Sequence, residues 1–169
     1  MEVIKGRVWK LGDNINTDLI YPGKYLPIID PPEMARHALE GLDKDFPGKI
    51  KKGDIIAAGF NFGCGSSREQ AATSLKHAGI ACVVAKSFSR IFFRNAINQG
   101  LALVESKEAA DLIKEGEEMT IDYKKGEIIT QRGNISFPSL PEFLMSILEE
   151  GGLIPHVRKS LERKNQLNL

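Results

Sequence analysis

The sequence contains few of the residues that hold metals or form disulfides. Its 169 residues include two cysteines, Cys64 and Cys82, and three histidines. Two cysteines cannot form a disulfide framework, and neither belongs to a Cys-x-x-Cys motif. The histidines, His37, His77 and His156, lack the spacing of metal ligands. Because an iron–sulfur cluster usually needs three or four cysteine ligands, we expect no metal or cluster to be held by this chain alone.

A large charge of one sign is also missing. Lys plus Arg total 23 and Asp plus Glu total 22, which gives a net charge of +1. This balance provides no electrostatic footprint for nucleic acid or an anionic membrane. No apolar run approaches the roughly 18 residues of a membrane span, and the first residues lack the apolar core of a signal peptide. We therefore expect a cytoplasmic protein without nucleic-acid or membrane partners.

What is present is an alternation of strand-like and helix-like segments. Hydrophobic residues make up 42% of the chain, which suits one domain with a substantial core. Predicted strands at 54–59, 80–85 and 101–104 alternate with predicted helices at 70–77 and 86–99, the latter capped by Ser87 or Ser89. Such alternation predicts consecutive β-α-β units, whose ligand-binding loops lie at the carboxyl ends of parallel strands.

Flanking segments complete the predicted domain. They are a strand at 3–10, an extended segment at 15–22, a helix at 33–40, a helix at 106–115, a hairpin at 119–131, a capping box at Ser139–Glu142 that opens a helix to 150, and a basic helix from Pro155. No linker or repeat divides the chain. We therefore expect a single domain over 1–169, in which 155–169 forms a basic C-terminal helical tail.

The most distinctive stretch is Asn61–Glu69, in which two glycines come directly before Ser66, Ser67 and Arg68. The order is strand, glycine turn, helix. Glycines let backbone amides approach a ligand closely, and free N–H groups at a helix start attract anions. We expect these three residues on the first turn of the helix, where they would hold an anionic substrate. The alternative is that the serines only cap the helix.

The residue types in this stretch also indicate a kind of chemistry. A serine can act as a base when positive charge and backbone N–H groups stabilise its alkoxide. An arginine suits a carboxylate because its planar fork makes two parallel hydrogen bonds. Ser66 and Arg68 together therefore suggest a carboxylic acid substrate. No Ser-His-Asp arrangement is indicated, because no histidine is near the serines in sequence.

Other polar clusters lie at 14–18, at Lys24 and Tyr25, and at 87–95. The last contains Arg90 and Arg94, which flank two phenylalanines after a strand end. Either they lie on a solvated helix face, or at least one points into the site.

Three segments together resemble a known family: Asn61–Glu69, Asn16–Asp18 and Ser89–Asn95. They resemble the small subunits of 3-isopropylmalate dehydratase, which correspond to the swivelling C-terminal domain of aconitase. The resemblance covers about residues 4–154. It implies an α/β fold with a three-layer β/β/α swivelling domain. It also implies a hydro-lyase that isomerises 2-isopropylmalate and 3-isopropylmalate by dehydration and rehydration in leucine biosynthesis.

The same resemblance implies a partner. A separate large subunit would carry a [4Fe–4S] cluster and bind this chain in a heterodimer or heterotetramer, with a 2-hydroxy dicarboxylic acid bound between the two. In this pattern Ser66 is the general base, and Ser67 and Arg68 hold a substrate carboxylate. Asp18 matches an acidic residue of the substrate site. Many relatives have an acid where this chain has Asn16, so no role follows for Asn16.

A substrate-specificity loop is also implied by the resemblance, and it matches Tyr25, Leu26, Pro27 and Ile28. Homoaconitase small subunits usually have an arginine in this loop, which binds an additional carboxylate. Here the position is Pro27 with apolar neighbours, which favours an isopropyl group. The alternatives are a homoaconitase small subunit, a promiscuous related hydro-lyase, or a stand-alone anion-binding domain.

Overall fold

In the computed structural model, which describes residues 3–167, seven strands and seven α-helices form. The strands are β1 (Ile4–Lys10), β2 (Ile55–Ala58), β3 (Cys82–Ala85), β4 (Ala102–Glu105), β5 (Glu118–Asp122), β6 (Glu127–Thr130) and β7 (Gly133–Ser136). The helices are α1 (Thr17–Ile20), α2 (Pro31–Ala35), α3 (Glu69–Ala78), α4 (Arg90–Gln99), α5 (Lys107–Leu112), α6 (Glu142–Glu149) and α7 (Leu153–Leu167). None of the helices in this part of the chain is long and apolar enough to cross a membrane.

The sheet has a parallel half and an antiparallel half that share β1. Its strand order is β4-β3-β2-β1-β5-β6-β7. Strands β1 to β4 pair parallel with one another, whereas β5 pairs antiparallel with both β1 and β6, and β7 pairs antiparallel with β6. The first part of β1, Ile4–Arg7, pairs with β5, and its last part, Val8–Lys10, pairs with β2. The exchange of partners halfway along β1 lets the sheet curl over on itself.

Two apolar cores cover the two faces of the parallel half. Along β2, Ile56 and Ala58 belong to a core shared with α3 and α4, whereas Ile55 and Ala57 belong to a core shared with the antiparallel strands. All four residues are buried. Strands buried on both faces have continuous apolar sequences, as the run at 80–85 predicts. The resulting layers are antiparallel sheet, parallel sheet and helices, which confirms the expected α/β, three-layer β/β/α fold.

The prediction of an extended segment at 15–22 is wrong. Its centre forms the short helix α1, and the Asn16 side chain caps this helix by accepting a hydrogen bond from the Leu19 amide at 3.0 Å. An asparagine at this position favours a helix start because it satisfies an otherwise unpaired N–H group. The helix places Thr17 and Asp18 beside the glycine turn.

Several predicted boundaries also differ from the structure. The hairpin has a third strand, β7, which the sequence pattern misses because only Ile135 of its residues is buried. The predicted capping box is wrong, since α6 starts after Pro141 and no side chain caps it. Helices α2 and α5 end earlier than predicted, at Ala35 and Leu112.

The last helix, α7, begins at Leu153 rather than Pro155. A proline is tolerated in the first turn of a helix, where its missing N–H group would have no partner. The predicted tail over 155–169 therefore lies within this helix, except for residues 168 and 169, which are outside the described part of the chain.

Candidate functional site

The carboxyl ends of β1, β2 and β3 bring three loops together at one edge of the sheet. The loop after β2 pairs with the loop after β1 through a parallel bridge between Cys64 and Asn16. It pairs with the loop after β3 through a second parallel bridge, between Phe62 and Phe88. The polar clusters that lie far apart in the sequence therefore meet here, as the β-α-β pattern predicts.

The glycine turn is fixed by both neighbouring loops. Gly63 and Gly65 have φ angles of +77° and +90°, a region that favours glycine. A Cβ added at Gly63 would lie 2.2 Å from a carbon of the Phe92 ring. The Gly63 amide donates to the Ile15 carbonyl at 2.7 Å, and its carbonyl accepts from the Ser89 hydroxyl at 2.7 Å. No other residue could replace Gly63 without moving the turn.

The prediction that Ser66, Ser67 and Arg68 lie on the first turn of the helix is wrong, because both serines lie before it. Helix α3 begins at Glu69, and Arg68 occupies the N-cap position with an extended backbone and no capping side chain. The Thr17 hydroxyl donates to the Ser66 carbonyl at 3.0 Å, which holds the serine pair outside the helix. Both serines are exposed, and neither hydroxyl has a hydrogen-bond partner within residues 3–167. The serines therefore do not cap α3.

Arg68 forms an ion pair with Asp18 beside the glycine turn. Arg68 Nη1 donates to Asp18 Oδ1 at 2.5 Å and to the Tyr21 carbonyl at 3.3 Å. The Arg68 side chain is 14% exposed, whereas that of Asp18 is 62% exposed. The hydrogen bond from Arg68 lowers the pKa of Asp18, so this carboxylate is ionised at neutral pH. Nε and Nη2 of Arg68 have no hydrogen-bond partner in the described chain and can bind an anion.

The predicted specificity loop starts at this ion pair. The Gly23 amide donates to Asp18 Oδ1 at 3.2 Å, and the chain then makes a 3₁₀ turn that ends at Tyr25. Leu26 and Pro27 are exposed, whereas Ile28 packs against the helix-side core. The structure therefore brings the loop next to Arg68, with two apolar side chains open to a ligand.

A concavity lies beside the loop after β3, where Phe88 and Arg90 line it. It is a groove of about 590 Å³ between α4, α6 and α7, lined mainly by apolar side chains. Arg90 and Arg94 line this groove, and within residues 3–167 neither forms a hydrogen bond with the glycine turn. A concavity of this size can bind a ligand, but the serine and arginine chemistry lies at the glycine turn. The turn is therefore the candidate site.

The two cysteines have different environments. Cys64 lies in the glycine turn and is half-buried, whereas Cys82 is fully buried in the core between the sheet layers. Burial raises the pKa of the Cys82 thiol to about 12. Across residues 3–167 no three side chains of His, Cys, Asp or Glu are grouped so that they could hold a metal ion. The described residues therefore do not fit an iron–sulfur cluster.

Several residues that support the site were not predicted from the sequence as site residues. Thr17 and Ser89 fix the glycine turn through their hydroxyls, and Tyr21 accepts from Arg68. Thr17 and Ser89 lie in the polar clusters at 14–18 and 87–95, and this clustering is the sequence signal that could have identified them as site residues. Nothing in the sequence around Glu40 shows that its carboxylate binds the Tyr25 hydroxyl, at 2.5 Å.

Comparison with known proteins gives consistent matches over most of the chain. Residues 13–109 match the family described as aconitase C-terminal domain. An isopropylmalate/citramalate isomerase small subunit from Methanocaldococcus jannaschii is 52% identical over 161 residues, which is 94% of this chain and 96% of that protein. A 3-isopropylmalate dehydratase small subunit from Caldicellulosiruptor saccharolyticus is 50% identical, over 95% of this chain and 94% of that protein.

Two further matches are a homoaconitase small subunit and a solved structure. A methanogen homoaconitase small subunit from Methanothermobacter thermautotrophicus is 47% identical over 95% of this chain and 94% of that protein. The crystal structure of a 3-isopropylmalate dehydratase from M. jannaschii superposes with a TM-score of 0.92 at 45% identity, and covers 98% of this chain and 99% of that one.

Proposed function

Because the chain belongs to the aconitase C-terminal domain family, among the small subunits of 3-isopropylmalate dehydratases, we propose that it supplies half of an active site that a large subunit completes. The observation that carries this proposal is an exposed serine, Ser66, two residues before the largely buried Arg68 in the glycine turn. The turn that holds them lies on the surface, so a second chain can cover it. A binding-only domain would have no need for a serine placed in this way.

Ser66 acts as the base in this proposal. Isomerisation proceeds by loss of water and its return with the hydroxyl on the neighbouring carbon. In the first step Ser66 Oγ accepts the proton of the carbon–hydrogen bond, whose electrons form the double bond, and the hydroxyl of the neighbouring carbon leaves as water after taking up a proton from a donor on the large subunit. In the second step water gives that proton back and adds as hydroxyl to the carbon that lost its hydrogen, while Ser66 Oγ returns its proton to the carbon that lost its hydroxyl. The positive charge of Arg68 favours the ionised form of the serine.

Arg68, Ser67 and Asp18 bind and orient the substrate. The free nitrogens Nε and Nη2 of Arg68 can make a two-bond contact with a carboxylate, and the Ser67 hydroxyl can donate to the same group. Asp18 holds the guanidinium in place through Nη1. The partner's [4Fe–4S] cluster would bind the hydroxyl that leaves. We assign the ligands of that cluster to the large subunit, and the lack of a metal-binding group among the described residues of this chain supports this assignment.

The substrate we favour is a 2-hydroxy dicarboxylic acid with an isopropyl group. Leu26 and Pro27 are exposed and apolar, and they lie in the loop next to Arg68. An additional carboxylate would need a cationic partner here, and the loop positions 25–28 contain none. Homoaconitate is the second candidate, because a homoaconitase small subunit is among the similar proteins.

Reconstitution tests this proposal. The purified chain is mixed with a cluster-bearing large subunit of a 3-isopropylmalate dehydratase, and the formation of product from 3-isopropylmalate and from homoaconitate is measured. We expect no activity from either subunit alone, and activity of the pair that favours isopropylmalate. Activity of the isolated chain would disprove the two-subunit arrangement, and a preference for homoaconitate would select the second candidate.

A further inference from the structure

A cluster of four side chains anchors the specificity loop from below. The Tyr25 hydroxyl donates to Glu40 Oε1 at 2.5 Å, and Lys24 Nζ lies 3.2 Å from the same oxygen. His37 Nδ1 lies 2.7 Å from Glu40 Oε2. The His37 and Tyr25 rings stack with centroids 3.6 Å apart and planes 17° apart. Glu40 Oε1 therefore holds two residues at the start of the loop, and Oε2 holds His37, whose ring stacks on Tyr25.

Glu40 itself lies in a fixed position. It follows Leu39, which is buried and has a φ of +63°, a conformation that few leucines adopt. The Leu39 amide donates to the Ile20 carbonyl at 2.7 Å, and a Cβ added at Gly41 would lie 2.4 Å from the Asp18 carbonyl oxygen. The turn that carries Glu40 is therefore packed directly against α1, which carries Asp18.

The same cluster is linked to Arg68. The Tyr21 hydroxyl donates to the Tyr25 carbonyl at 2.8 Å, and the Tyr21 carbonyl accepts from Arg68 at 3.3 Å. Tyr21 is fully buried. Contacts thus run without a break from Arg68 through Tyr21 and Tyr25 to Glu40. The position of the exposed Leu26 and Pro27 relative to Arg68 depends on this path.

Building on the proposed function, we propose that Glu40 is a positioning residue that sets the distance between the apolar loop and the carboxylate clamp. It thereby determines how well a branched side chain on the substrate is accepted. Glu40 does not touch the substrate. Its carboxylate holds Tyr25, and Tyr25 holds the loop. Burial raises the pKa of Glu40, but hydrogen bonds from Tyr25, His37 and Lys24 outweigh this and hold that pKa at about 2, so the anchor is ionised at any working pH.

Glu40→Gln in the reconstituted two-subunit enzyme tests this role. We measure kcat and KM for 3-isopropylmalate and for a methyl-branched acid of the citramalate type. The expected result is a roughly tenfold fall in the kcat/KM ratio of isopropyl to methyl acid, because a loosely held apolar pocket discriminates less between alkyl groups. Most of the change should be a rise in KM for the isopropyl acid, with kcat within about twofold of wild type.

The molecule contains a matched control. Glu150 also binds a histidine and a lysine, with His156 Nδ1 at 2.8 Å and Lys159 Nζ at 3.5 Å. Its side chain is 13% exposed, against 16% for Glu40. Glu150→Gln should leave the selectivity ratio unchanged. Equal ratios in both variants and wild type, with only a loss of thermal stability, would show that Glu40 is merely structural and would overturn the inference.

Tyr25→Phe provides a second variant that keeps the ring stacked on His37 and removes only the hydroxyl. It should lower the selectivity ratio as Glu40→Gln does. The double variant should fall no further, because both changes weaken the same contact, between the Tyr25 hydroxyl and Glu40 Oε1. Additive effects would contradict the proposed path. Inactivity of the wild-type pair on 3-isopropylmalate would instead refute the proposed function, so the two failures are distinguishable. If Glu40→Gln does not fold, Tyr25→Phe alone decides.

Discussion

The parallel and antiparallel halves of the sheet have the same kind of buried core but different roles. Parallel strands must be joined by long crossovers, so their carboxyl ends are followed by loops that can meet at one edge. The loops after β1 and β2 carry Asp18, the segment 25–28 and Ser66–Arg68. Antiparallel neighbours need only short turns, and β5, β6 and β7 carry none of the candidate residues. Strand topology, and not burial alone, therefore decides where functional residues can cluster.

The largest effect on turnover is expected for Ser66→Ala, which changes a candidate residue of the parallel half. Turnover of the reconstituted enzyme should fall about 10³- to 10⁴-fold, since the proton acceptor is lost. The free energy of unfolding should change by less than about 0.5 kcal/mol, because an exposed hydroxyl without a partner is removed. The control is Ser136→Ala, which changes an exposed serine of β7 and should leave both quantities unaltered. Near-normal turnover of the Ser66 variant would exclude it as the base.

A core substitution in the antiparallel half should lower stability and leave turnover unchanged, which is the opposite of the result expected for Ser66→Ala. Ile128 of β6 is fully buried, whereas its neighbour Ile129 on the other face is 39% exposed. Ile128→Ala should lower the free energy of unfolding by about 3 kcal/mol through lost burial and an unfilled cavity, and Ile129→Ala by less than about 1 kcal/mol. Urea unfolding measures both. The folded fraction of each variant should have wild-type kcat. A reduced kcat would show that the antiparallel half also contributes to catalysis.

Replacing the arginine of an ion pair by lysine should affect kcat/KM in the parallel half only, and Arg68→Lys is the variant there. A lysine keeps the charge but loses the planar fork, so we expect kcat/KM to fall about 100-fold. The matched change is Arg132→Lys, because Arg132 pairs with Glu117 at 2.6 Å in the antiparallel half. That variant should retain full activity. Comparable losses in both variants would mean that Arg68 acts through stability and not through a substrate carboxylate.

Pro27→Arg should convert the loop toward a different acid. A guanidinium among Leu26 and Ile28 can bind an additional carboxylate, so the kcat/KM ratio of homoaconitate to 3-isopropylmalate should rise about tenfold. Pro138→Arg places the same charge at an exposed proline after β7 and should not change this ratio. An unchanged ratio in the Pro27 variant would show that this loop does not set the choice of substrate.

The smallest expected effect concerns acid stability. The folded pKa of Glu40, about 2, is below its ordinary value of 4.5, so its contribution to stability is complete above pH 4.5 and is lost as pH falls toward 2. Wild type should exceed Glu40→Gln by about 1 to 2 kcal/mol in unfolding free energy at pH 7, since screening reduces the full effect, and the difference should vanish near pH 2. Urea titrations across this range measure it. Glu117 lies in the antiparallel half, and the stability difference between wild type and Glu117→Gln should depend less on pH. An equal pH dependence for the two variants would show that Glu40 is not a special anchor.

The sequence predicts the parts of this molecule that depend on short stretches. Apolar runs and the glycines at 63 and 65 are local signals, and strands β2, β3 and β4, the helices α3 and α4, and the turn between β2 and α3 follow from these. The cap at Asn16 is local too, and the extended segment predicted at 15–22 ignores it. Strand β7 escapes prediction because a single buried side chain, Ile135, gives no alternation to detect.

Contacts between distant residues could not be predicted in this way. Asp18 and Arg68 are 50 residues apart in sequence, and Thr17 and Ser66 are 49 apart. Nothing in either segment alone specifies its partner, because the pairing is set by the order of strands in the sheet. The roles of Ser66, Ser67, Arg68 and Asp18 rest on resemblance to a family, and the structure adds their geometry. These roles remain predictions.

The exchange of partners along β1 has a consequence for how the chain folds. Strand β1 pairs at Val8–Lys10 with residues 55–57, but its other end, Ile4–Arg7, pairs with residues 118–121, which are made much later. Contacts this distant in sequence make folding slow, because a long loop must close before they form. The nascent chain therefore leaves residues 4–7 of β1 without their strand partner until residues 118–121 have been made, more than 110 residues later.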